Sequence, residues 1–225
     1  MYHTIDEFMS KIGRQKGMSL TTGFDVFFEF NTISDADTLP LNYYFDGDED
    51  VVHMLCDEAQ LPNVQTATGQ LSGRYVGESG VQYPHSRMFT DVRLGFLCDG
   101  DMLPLKFLHH WYNFIYSEGS PLISMDDYES TKAVNIRDRS RVNRLAYPDH
   151  CTCSVYIMKT EPDADFANGR IPTTFVLENA YPYSVDAVPL SYGTSQITRV
   201  NVSFYYSRHS VIYGDVRANY TSGSK

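Results

Sequence analysis

Four groups of residues have the types and spacing that metal binding, nucleophilic attack or phosphate binding would need. Asp46, Asp48 and Asp50 place carboxylates at the alternate positions that open a calcium loop, where a large cation collects oxygens from one short turn. Val51 stands where that turn needs Gly, and Asp57 where a bidentate Glu would close it, which favours a solvated acidic loop. His150-Cys151-Thr152-Cys153 and the pair His109-His110 supply zinc donors, but no second pair at ligand spacing accompanies them, and two Cys on one strand face read as core. Gly77-Glu-Ser-Gly80 lacks the final Gly of a nucleophile elbow, since Val81 occupies that position, so Ser79 reads as a turn residue. Arg137, Arg139, Arg141 and Arg144 could meet phosphate, yet Asp126, Asp127, Asp138 and Asp149 surround them and point instead to a protein-contact loop. The expectation is a chain with no catalytic residue, no metal and no cofactor.

The elements that carry these residues explain why they do not converge. The chain has 225 residues, 42% hydrophobic and 20% charged, the composition of an ordinary soluble domain. A chain of this length can bury a core without disulfide or metal staples. The start lacks the basic and apolar regions of a secretory signal, so Cys56, Cys98, Cys151 and Cys153 read as buried thiols, and no apolar run suggests a membrane anchor. The net charge of -10 opposes a binder that neutralises phosphates, but not a surface past which DNA must slide. Seventeen Tyr and 13 Phe against one Trp suit half-buried sheets and interfaces.

Thr4-Ile-Asp-Glu7 has the form of a capping box, and Ile5, Phe8, Met9 and Ile12 share one helical face, which predicts a short opening helix ended by Gly13 and Gly17. Phe24, Val26, Phe28 and Phe30 alternate with Asp25, Phe27 and Glu29 as a half-buried strand. Between Asn31 and Gly73 eight acids and no base occur, and Val52, Met54 and Cys56 predict a strand within that stretch. Arg74-Tyr-Val76 and Val81-Gln-Tyr83 flank a glycine-containing turn, the pattern of an exposed hairpin that reaches for partners. A strand over Val92 to Cys98 precedes an amphipathic helix from Pro104 to about Ser117. An irregular insertion (118–149) follows, then strands at Cys151 to Ile157, Thr173 to Ala180 and Gln196 to Tyr206, the first ended by an acidic turn at Glu161 to Asp165. Proline-punctuated Tyr181 to Leu190 separates the last two strands. The reading is one domain over 1–213 and a flexible C-terminal tail over 214–225.

Leu177-Glu-Asn-Ala-Tyr-Pro-Tyr-Ser-Val185, Val188-Pro-Leu-Ser-Tyr192 and Gln196-Ile-Thr198 followed by Val200, Val202, Phe204 and Tyr206 resemble the C-terminal signature of contractile-phage tail tube proteins, those of T-even-type myoviruses. Leu61-Pro62, the Phe89 to Cys98 strand and the Leu105 to Tyr116 helix with Trp111-Tyr112 fall in the order that family has. The opening Met1-Tyr2, Asp6-Glu-Phe8 and Phe24 look more like the baseplate tube-initiator proteins that share the tube fold.

The resemblance implies a mainly β fold: two packed antiparallel sheets, a sandwich or barrel of the tail-tube and Hcp kind, with one flanking amphipathic helix. It implies hexameric rings that stack into a tube whose lumen conducts DNA without tight binding. Partners would be further copies, a tail sheath protein, a baseplate hub or initiator and a tape-measure protein, in a virion tail assembled in the host cytoplasm. Candidate contacts between subunits or rings are Arg74, Tyr75 and Tyr83 on the hairpin and Tyr192, Tyr205 and Tyr206 near the closing strand. Candidate lumen charges are Asp46, Asp48, Glu49, Asp50, Asp57 and Glu58. Two other readings stay open here: a single baseplate initiator ring, and a tail-associated β-sandwich binding module.

Overall fold

The structure, a computed structural model, describes residues 4–14, 17–30, 49–73, 80–115, 152–163, 166–193 and 197–213. The predicted opening helix is α1 (Ile5–Arg14), capped by the Glu7 amide on Thr4 Oγ1 at 3.3 Å. It is closed by Gly17, whose positive φ of 92° lets its amide return to the Ile12 carbonyl. The remaining elements are β1 (Phe24–Phe30), α2 (Glu49–Met54), β2 (Cys56–Ala59), β3 (Gln65–Leu71), β4 (Val81–Met88), β5 (Val92–Leu97), α3 (Leu103–Ile115), β6 (Cys153–Asp163), β7 (Phe166–Val185), β8 (Arg199–Tyr205) and β9 (Arg208–Tyr213).

Seven strands form one continuous antiparallel sheet in the order β1-β6-β7-β8-β5-β2, with β9 also on β7. The sheet becomes two layers because one pair of strands bends together. The 20-residue β7 pairs β6 and β9 along its first part and β8 along its last, and the register runs unbroken from Thr173↔Tyr213 through Glu178↔Arg208 to Tyr181↔Tyr205. At the corner Asn179 takes a positive φ of 54°, a conformation Asn tolerates, and Tyr206-Ser207 forms the matching bend between β8 and β9. Glu178 clamps this bend. Its carboxylate accepts from the Arg208 guanidinium at 2.7 and 3.0 Å and from Ser210 Oγ at 2.8 Å, while its carbonyl takes the Ser207 amide at 3.0 Å.

The layers close on an aromatic core. Phe28 of β1 meets Phe96 of β5, Phe204 of β8, and Phe107 and Trp111 of α3, with ring centroids 5.7–6.3 Å apart. Val26, Val155, Ile157 and Leu177 complete it from one layer, and Val92, Leu94, Val200 and Val202 from the other. The predicted flanking helix is therefore α3, and its apolar face enters the gap between the layers. The end strands β1 and β2 approach one another, with α2 packed against both, so the curled sheet comes close to a barrel.

Three expectations need correction. Val52 lies on α2, not on a strand. Its two-residue alternation with Met54 and Cys56 spans too few residues to separate strand from helix, and Val52 is buried while His53 reaches back toward the Phe28 amide. The segment from Tyr181 is not a break. β7 runs on through Pro182 to Val185, because the register shifts at Pro182/Ser184 and such a bulge accommodates a residue without an amide hydrogen. Glu161 to Asp163, expected in a turn, still belongs to β6. The insertion (118–149) and the tail (214–225) lie outside the described residues.

Candidate assembly interfaces

The exposed hairpin is a two-stranded ribbon, β3–β4, a sheet of its own. Its first strand is Gln65–Leu71 instead of Arg74–Val76, and Arg74 and Tyr75 fall outside the described residues. Pairing Gln65↔Met88, Ala67↔Ser86, Gly69↔Tyr83 and Leu71↔Val81 puts these residues on one face, and Thr66↔Arg87, Thr68↔Pro84 and Gln70↔Gln82 on the other. One face is thus largely apolar and the other polar. Leu71, Val81, Tyr83 and Met88 are all exposed, so among the described residues nothing covers this apolar face. Tyr83 lies flat over Gly69, where an added Cβ would stand 2.7 Å from the ring. The root of the ribbon is fixed: Phe89 packs on Tyr206 and His209 at 5.8 and 5.3 Å, Arg87 stands 4.9 Å over the Phe89 ring, and Thr90 Oγ1 donates to Asn63 at 2.6 Å.

A second uncovered surface is α1. Ile5, Phe8 and Met9 are 77%, 48% and 64% exposed, and no residue of the helix is buried. The chain behind it is anchored at the first layer: Ser19 Oγ donates to the Glu161 carboxylate, which also accepts the Leu20 amide at 3.2 Å and pairs with Lys159 at 2.8 Å. Hydrogen bonds from Lys159 and Ser19 hold the Glu161 carboxyl down at about 2. A third is the edge of β9, which pairs only with β7 among the described residues and exposes Val211, Ile212 and Tyr213.

The fourth surface is the outward face of the second layer. Tyr205 stacks on Tyr183 at 3.9 Å and lies 6.2 Å from Tyr181, and Tyr183 donates to Asp91 at 2.9 Å. Beside this aromatic ladder, Arg199 crosses Gly95 to reach Asp57 at 3.3 Å and to bond Glu58, and Arg93 faces Asp186 at 4.0 Å. Gly95 leaves that path open, since a Cβ there would stand 2.9 Å from Arg199 Nη2.

Of the tyrosines expected at interfaces, Tyr83, Tyr192 and Tyr205 are exposed, whereas Tyr206 is 8% exposed and lies under Phe89. Asp57 and Glu58 sit together on β2, both tied to Arg199. Glu49 and Asp50 begin α2, and Asp46 and Asp48 lie outside the described residues. The residues that sequence reasoning passed over are Gly69, Leu71 and Met88 of the ribbon, and the pairs of Arg93 and Arg199. The strand Gln65–Leu71 is Gln- and Thr-rich with both faces in water, so no apolar alternation announces it; Gly69 opposite Tyr83 was the available signal. Among the described residues no group of His, Cys, Asp or Glu could hold a metal ion. Cys153 is buried in the core, and burial raises its thiol pKa; burial, then Asp57, pushes Cys56 up to about 12.

A curled antiparallel sheet whose ribbon, β9 edge and α1 are exposed among the described residues has the surfaces of a protein that assembles with others. The chain belongs to the phage tail tube protein family, whose profile matches residues 19–212, and its role is structural, not enzymatic. Similar solved structures include the anti-feeding prophage baseplate (12% identity, 88% of this chain and 97% of that one, TM-score 0.49). They include an extracellular contractile injection system sheath-tube complex (11% identity, 94% and 99%, TM-score 0.49) and an Hcp protein (12% identity, 84% and 98%, TM-score 0.40). None of the curated proteins matches the sequence.

Proposed function

We propose that the chain is the repeating subunit of a contractile phage tail tube, in which copies close into hexameric rings, rings stack, and the shared lumen conducts DNA during ejection. The observation that carries this reading is the β3–β4 ribbon: an apolar face, exposed among the described residues, in a member of the phage tail tube protein family. The uncovered edge of β9 supplies the second requirement, since a neighbour's strand added there would hide the unpaired backbone and close a ring by head-to-tail contacts. Partners on the outside of the tube would be the sheath, and at its ends the baseplate initiator and the tape-measure protein. The particle would be built in the host cytoplasm.

The outward face of the second layer suits the lumen wall. Its charges carry a small acidic excess, Arg93 and Arg199 standing against Asp57, Glu58, Asp91 and Asp186. Such a wall offers DNA neither a basic groove nor a strongly repelling surface. Sedimentation velocity at rising protein concentration tests the reading. Ring-sized and larger species that grow with concentration are expected. A strictly monomeric chain at every concentration would overturn it, and a single ring that never extends would point to the initiator instead.

A further inference from the structure

We propose that α1 of one copy docks on the apolar face of the β3–β4 ribbon of the next copy. The inference rests on the tube reading and names one contact that would join its subunits. Two apolar faces, exposed among the described residues, are rooted at opposite ends of the first layer. The segment behind α1 is anchored at Glu161, near the β6–β7 turn, while the ribbon root is anchored on Tyr206 and His209 at the bend, beside the Cys153↔Ala180 pair. From Cys153 to Glu161 along β6 is eight residues, a separation of about 26 Å. A donor surface at one end and an acceptor at the other give a heterologous contact, which propagates from copy to copy instead of closing a pair.

The two faces also match in size. A helix of 10 residues is about 15 Å long and about 10 Å across. The ribbon's seven paired positions extend over about 23 Å, and its two strands are about as wide as one helix. Ile5, Phe8 and Met9 would then lie over Leu71, Val81 and Tyr83, the helix-on-sheet layering that buries an amphipathic stripe. Charge permits the contact. Residues 1–20 hold three bases and two acids, and residues 61–90 hold two bases and one acid, in a chain of net charge -10. Copies that repel one another elsewhere meet here without opposing carboxylates in excess.

Two measurements on the full chain test it. Phe8→Cys and Tyr83→Cys proteins, mixed and air-oxidised, are expected to give a mixed disulfide dimer that neither gives alone, against the background of the unsubstituted chain. Phe8→Asp and Tyr83→Asp proteins, with circular dichroism unchanged, are expected to lose the large species that the unsubstituted chain forms. A disulfide formed within a single doubly substituted chain at high dilution would show α1 on its own ribbon and overturn the inference. Aspartate variants that assemble like the unsubstituted chain would overturn it and leave the tube reading standing. Failure of the unsubstituted chain to assemble would overturn the tube reading itself, and this inference with it.

Discussion

Glu161 is the residue whose chemistry reaches furthest into assembly, because its carboxylate ties the segment behind α1 to β6. Its folded pKa of about 2 lies below the ordinary carboxylate value, so this anchor stabilises the fold fully above about pH 4.5 and is lost as pH falls toward 2. The protection factor of the Leu20 amide, its exchange corrected for the intrinsic pH dependence, is expected to fall over that window and to be low at neutral pH in Glu161→Ala. Cysteine chemistry gives a second check. Burial raises the Cys56 and Cys153 thiols, so alkylation of these two in the folded chain at pH 7.5 is expected to be far slower than in denaturant. Sequence reading expected all four Cys to be buried; Cys153 is, whereas Cys56 and Cys98 are only partly covered and Cys151 lies outside the described residues. The inward turn of Tyr206 was legible, because it continues the two-residue alternation of the buried Val200, Val202 and Phe204; reading it as an interface residue went against that pattern.

Elements divide into those that hold the fold and those that face outward, and substitutions should separate them. Trp111 is fully buried among Phe28, Phe107 and Phe204, so Trp111→Ala is expected to cost about 3–5 kcal/mol in chemical denaturation. Gly69→Val should act differently. Its side chain would displace the Tyr83 ring, roughening the apolar face of the ribbon while leaving the core untouched, so denaturation midpoint is expected to shift little and large species to disappear in sedimentation. Glu178→Ala unfastens the bend; Arg208 is largely exposed, so the loss is expected to be no more than about 1 kcal/mol. The core elements were legible: β1, β5, β8 and α3 carry clean two- or four-residue periods because one side of each is buried. The short α2, the long β7 across Pro182, and β3 and β9 were not. Their residues are set by a bulge, a bend or water on both faces, and none of these leaves a hydrophobic period.

At the scale of the whole molecule, the described residues form a curled sheet with apolar surfaces left on its outside. Acidity that looked, from the sequence, like a block of uncompensated charge is partly resolved by fold: Arg199, far along the chain, returns to Asp57 and Glu58. The chain belongs to the tail tube family, and the tube reading gives one purpose to the ribbon, the β9 edge and α1, which are exposed among the described residues. Electron microscopy of the purified, concentrated chain is the most direct test of this account. Six-fold end views with a central channel, and side views of stacked rings, are the predicted result. Dispersed single subunits, or compact pairs with no channel, would contradict it.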